Sequence, residues 1–112
     1  MLRNIYKILL LLLLASATVY ASDSSKFDQG KKVFDKWCIH CHGVGMPATD
    51  ALKIVYKGTD ISPVLEERKE LDADFVKYIV RNGKFSMPFF RKTEINDEQL
   101  NSLALYLSTK NK

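Results

Sequence analysis

Cys38-Ile39-His40-Cys41-His42 is the stretch on which the fold turns. It gathers both cysteines and both histidines of a 112-residue chain into one pentapeptide. The spacing C-x-x-C-H is the attachment signature of c-type haem. Two thiols so spaced on a helical turn point to one side, where they can add to the two vinyl groups along one edge of a porphyrin. The histidine that follows then reaches the iron from the proximal side. A cysteine pair has three other readings. A thioredoxin-like dithiol wants a βαβ setting, of which this chain shows no sign. A structural zinc site draws a second ligand pair from a distant segment, and no cysteine or histidine lies outside the pentapeptide. A disulfide between Cys38 and Cys41 closes almost no loop and stabilises little. Haem attachment, through Cys38 and Cys41 with His42 as proximal ligand, is the preferred reading, and His40 is left unassigned.

The iron then needs a second axial donor. Met46 is only four residues past His42 and belongs to the same side of the ring. Met87 lies 45 residues beyond His42, between two helical stretches. Pro88 biases its backbone toward an extended form, and Phe85, Phe89 and Phe90 can keep water from its thioether. Met87 is therefore the expected distal ligand. Histidine and methionine together fill the iron and raise its reduction potential. The implied chemistry is one-electron transfer without bond making, not catalysis.

Outward from this centre, the N-terminus reads as an address. Arg3 and Lys7 precede an apolar run, Ile8 to Leu14, followed by small and mixed residues up to Ala21. A basic head, a short apolar middle and a small residue at the cut describe a secretory signal peptide. A spanning helix needs about 20 apolar residues. The expected division is a signal peptide over 1–21 and one domain over 22–112, exported to the periplasm and free of the membrane after cleavage. Removing Arg3 and Lys7 lowers the formal charge from +4 to +2. So mild a charge does not call for nucleic acid, and no nucleic-acid motif is present.

The exported part is short, so its core is modest. The pattern is helical throughout. Phe27 to Trp37 reads as a first helix, and a helical turn is expected over Asp50 to Tyr56. Asp72 caps a helix over Ala73 to Asn82, stopped by Gly83. Phe75, Ile79 and Asn82 share one of its faces. Asn96, with Gln99 three residues on, starts a last helix whose Leu100, Leu103, Ala104 and Leu107 form an apolar stripe. No stretch alternates as a strand would. The expected fold is all-α, with three to four helices and long loops wrapped around one covalent haem. Such loops in so small a domain need something to wrap around.

These residues resemble the class I cytochromes c, over most of the exported chain. Gly30 and Phe34 resemble the family's first-helix contact positions, and Leu103 and Tyr106 the last-helix positions they meet. The resemblance implies a tight crossing there. Asn82-Gly83 followed by Met87-Pro88-Phe89 is similar to the family's methionine loop. Ser62-Pro63-Val64-Leu65 resembles its Gly-Pro-x-Leu segment, with Ser62 where glycine is usual. By that resemblance, the Pro63 carbonyl accepts a hydrogen bond from the other ring nitrogen of His42 and orients it. The run from Pro63 to Glu66, Tyr78 to Gly83 and Ser86 to Phe89 further resembles the cytochrome subunits of p-cresol methylhydroxylase-type (4-alkylphenol) flavocytochromes. This implies an FAD-containing flavoprotein dehydrogenase subunit as electron donor, with the downstream acceptor unspecified. The alternative is a free, diffusible cytochrome c serving another periplasmic dehydrogenase or oxidase chain. Arg81, Lys84, Arg91 and Lys92 flank the methionine loop, and are read either as a docking patch for an acidic partner or as solubilising charge.

Overall fold

The computed structural model describes the backbone throughout and the side chains of residues 1–14 and 22–112. The expected cleavage point after Ala21 lies outside the described residues. In chain order the elements are α1 (Leu2–Trp37), α2 (Ile39–His42), α3 (Pro47–Val55), a 3-10 turn (Leu65–Glu67), α4 (Ala73–Asn82) and α5 (Asp97–Thr109). Among the described residues the sole strand-like feature is an isolated antiparallel bridge between Lys84 and Met87.

The helix expected over Phe27 to Trp37 is the last third of a longer one. Nothing between Leu2 and Phe27 is proline or glycine, so no residue there stops it. Leu9 to Leu14 are exposed and outside the core. Among the described residues, no helix is long and apolar enough to cross a membrane. The turn expected over Asp50 to Tyr56 is a full helix that starts earlier, at Pro47. Proline suits a first helical position because its missing N–H has no partner to lose there.

The core is the crossing of α1 with α5, flanked by α4. Val33 and Phe34 of α1 are buried with Leu100, Leu103, Ala104, Tyr106 and Leu107 of α5, and with Val76 and Val80 of α4. Thus α4 turns the valines inward, while Phe75, Tyr78 and Asn82 lie exposed. The apolar stripe of α5 is buried as its spacing requires. At its start Asn96 accepts from the Gln99 N–H at 2.8 Å, and the Gln99 side chain accepts from the Asn96 N–H at 2.9 Å. The Asp72 carboxylate caps α4 in the same way, accepting from the Asp74 and Phe75 N–H groups.

Gly30 sets the distance between α1 and α5. A Cβ on it would lie 2.1 Å from the Ser102 carbonyl oxygen and 2.6 Å from Tyr106 Cβ. The Tyr106 ring meets Phe27 edge-on at 4.9 Å between centroids and lies 6.1 Å from Phe34. Its hydroxyl donates to the Glu66 carboxylate, which ties the crossing to the segment after Pro63.

Candidate functional site

The end of α1 delivers the pentapeptide. Cys38 follows Trp37 and serves as the cap of α2, so the two cysteines sit one turn apart. Both are free thiols. Cys38 is buried and Cys41 exposed. Burial, with a smaller contribution from Cys41, pushes the Cys38 thiol up to about 12. A thiol raised in this way ionises less readily than the reactive thiol of a redox dithiol. Among the described residues no group of three or more His, Cys, Asp or Glu is placed to hold a metal ion.

His42 is held below the ordinary imidazole range, first by burial and then by the nearby Arg68 charge. Both effects favour the neutral ring, the form that ligates metals. Its Nδ1 is buried without a hydrogen-bond partner. The Pro63 carbonyl therefore does not accept from it here. The Pro63 segment is nevertheless held tightly. The Ser62 hydroxyl accepts from the Val64 N–H at 3.2 Å and donates to Glu67 at 2.8 Å. Serine thus closes by its side chain the turn at a position where glycine is usual. After α2, Gly43 leaves no room for a side chain against the Ile39 carbonyl, and buried Thr49 donates to the Gly43 carbonyl at 2.7 Å. Thr49 holds α3 to the pentapeptide, and no motif in the sequence singled it out.

Met87 is carried on a closed ring of backbone. The Lys84 N–H donates to the Met87 carbonyl at 3.2 Å, and the Met87 N–H to the Lys84 carbonyl at 2.9 Å. Gly83 opens the ring at φ +70°, where a Cβ would lie 2.6 Å from the Met87 carbonyl oxygen. Phe85, inside the ring, adopts φ +52° and is 96% exposed. Gly83→Ala meets both the unfavourable φ and the clash. It should destabilise the protein by about 1–3 kcal/mol in urea unfolding. Unchanged stability would show that the ring tolerates a side chain there.

The structure brings Met87 to the same core as the pentapeptide. Met87, Trp37, Ile39, Leu65 and Phe90 pack against the buried cluster that includes Cys38. Trp37 and Phe90 meet edge-on at 5.9 Å between centroids, joining the end of α1 to the methionine loop. Met46 instead caps the start of α3 and does not join that cluster.

Three of the four bases that flank the methionine loop are paired with acids. Arg81 is largely covered and paired with Asp97 at 2.9 Å, Lys92 also pairs with Asp97 at 3.0 Å, and Arg91 pairs with Glu94 at 3.2 Å. Acids from the turn before α5 and from its first turn partly offset these bases, Asp97 being shared by Arg81 and Lys92, and adjacency in sequence could not reveal that. Lys84 lies over the Phe85 ring, 5.6 Å from its centroid.

The residues fit a covalent haem. Two free thiols lie one turn apart, an imidazole with an orphaned buried nitrogen follows, and Met87 packs against the core that includes Cys38. Phe75 and Tyr78 on α4 and Phe89 beside Met87 leave apolar surface exposed.

Comparison with known proteins agrees with this chemistry. The family model described as cytochrome c oxidase, cbb3-type, subunit III matches residues 25–107. The chain is 38% identical over 93 residues to the cytochrome c subunit of 4-cresol dehydrogenase (hydroxylating) from Pseudomonas putida, covering 80% of this chain and 66% of that subunit. It is 32% identical over 103 residues to cytochrome c6 of Gloeothece citriformis, covering 92% of this chain and 88% of that protein. No solved structure gives a significant match.

Proposed function

Because the chain belongs to the cytochrome c family of electron-transfer proteins, we propose that it carries one haem c, bonded through Cys38 and Cys41, with His42 and Met87 as axial ligands. The single observation that carries this is the pentapeptide, with its free thiols and a His42 Nδ1 buried without a partner, whose Cys38 belongs to the core against which Met87 packs. When bound, haem supplies a one-electron iron couple. Cys38 and Cys41 would bond the haem, His42 and Met87 would hold its iron, and Trp37 and Phe90, which meet edge-on beside Met87, would keep water from the centre. The chain's part is to hold these groups and to pass electrons; it is not an enzyme.

The further reading is a periplasmic protein. Residues 1–21 are removed as a signal peptide, and 22–112 form the cytochrome domain. Its electron donor is a flavoprotein dehydrogenase subunit acting on 4-alkylphenols. The similarity to the 4-cresol dehydrogenase subunit supports that partner. The match to cytochrome c6 keeps beside it the second reading, a free, diffusible carrier for another periplasmic dehydrogenase or oxidase chain.

Expression of the full chain beside a c-type maturation system tests the first point. The denatured product should stay coloured, begin near Ser22 and weigh one haem more than its polypeptide. A colourless product with two unmodified thiols would refute it. Co-purification with a flavin-containing subunit, and reduction of the haem when that subunit meets a 4-alkylphenol, would separate a bound subunit from a free carrier.

A further inference from the structure

We infer that Arg81 is a positioning residue for Met87: its guanidinium fastens the far end of the methionine loop and thereby sets how firmly the thioether is held at the iron. The inference rests on Met87 being the distal ligand. Arg81 stands in the last turn of α4, two residues before Gly83, where the loop departs. Its Nη1 donates to the Phe90 carbonyl at 3.1 Å and to the Ile95 carbonyl at 2.8 Å. Its Nη2 donates to the Asp97 carboxylate at 2.9 Å. The Phe90 N–H also donates to the Val80 carbonyl at 2.8 Å. The loop therefore leaves α4 at Gly83 and returns to the same turn at Phe90, with Met87 between the two fixed points.

One planar fork serves three acceptors on three segments: the loop, buried Ile95 and the start of α5. Lysine has one charged nitrogen and no such fork. The side chain is only 22% exposed and already paired with Asp97, which suits a fastening better than a docking charge. An internal ligand competes with an added one through its effective concentration at the iron. Loosening the far end of the loop lowers that concentration, so an added ligand should bind more tightly by the same factor.

Imidazole titration of the oxidised, haem-loaded protein, followed by absorbance, reads this directly. Met87→Ala, lacking the internal competitor, sets the tightest binding. Arg81→Leu should bind imidazole about tenfold more tightly than the native protein, the scale of losing hydrogen bonds to a charged group. Arg81→Lys should fall between, and it decides the matter if the leucine variant does not mature. Tyr106→Phe, which weakens the fold at the crossing of α1 with α5 by removing the bond to Glu66 without touching the acceptors of Arg81, should keep native affinity. Native affinity in both Arg81 variants beside tight binding in Met87→Ala would overturn the inference. So would an equal rise in Tyr106→Phe, since the effect would then be general loosening. If Met87→Ala itself binds like the native protein, the ligand assignment is at fault and the role of Arg81 falls with it.

Discussion

Gly30→Val should leave the haem-loaded protein destabilised by more than about 4 kcal/mol in urea unfolding, with much of the material failing to mature. The reason lies in what a side chain would meet. The Ser102 carbonyl oxygen and Tyr106 Cβ stand well inside contact distance of any Cβ at position 30. Both belong to the backbone or near-backbone of α5, so no flexible tip can swing aside. The helices must separate, and with them the contacts of the Tyr106 ring with Phe27 and Phe34. Gly30→Ala is the sharper comparison. Alanine favours a helix over glycine by about 1 kcal/mol, so a loose crossing would make this variant more stable than the native protein. A tight one should make it less stable, by about 1–3 kcal/mol despite the gain in propensity. An alanine variant of raised stability would refute the close approach.

Met87→Ala has the largest expected effect on function. The thioether is neutral and favours ferrous iron, so its loss should lower the reduction potential by on the order of 0.1–0.3 V, within the ~0.8 V range that axial ligation spans. The iron would also gain an open position. The reduced variant should bind carbon monoxide rapidly, and the native protein slowly or not at all. The weak long-wavelength band that iron–thioether bonding gives in this family should disappear. Met46→Ala controls for methionine loss, since Met46 lies outside the buried cluster at the start of α3. If Met46→Ala reproduces these changes and Met87→Ala does not, the distal assignment is reversed.

What the sequence revealed depended on how local the cause was. Asp72, Asn96 with Gln99, and Gly83 mark helix ends through partners within a few residues, and the structure uses each of them. The stripe on α5 was equally legible, because one face of a helix repeats at fixed spacing. Arg81 was not legible. Its partners lie 9, 14 and 16 residues away, and two of them are carbonyls, which every residue has. A basic patch is the natural reading of such a residue until the chain folds back on it. The core face of α4 was similarly ambiguous, since Phe75 and Val76 are adjacent and only packing decides which turns inward. Thr49 gave no signal at all, for a hydroxyl meeting a distant carbonyl leaves no pattern in sequence.

The doubly bonded ring from Lys84 to Met87 bears on speed as well as on affinity. Electron transfer is slowed when atoms must shift to suit the new charge. With Met87 as distal ligand, its backbone is tied in both directions to Lys84 and followed by the rigid Pro88. The sulfur then has little latitude to drift between oxidation states. Small nuclear rearrangement, and hence rapid self-exchange between oxidised and reduced molecules, is the result expected of four residues closed on themselves.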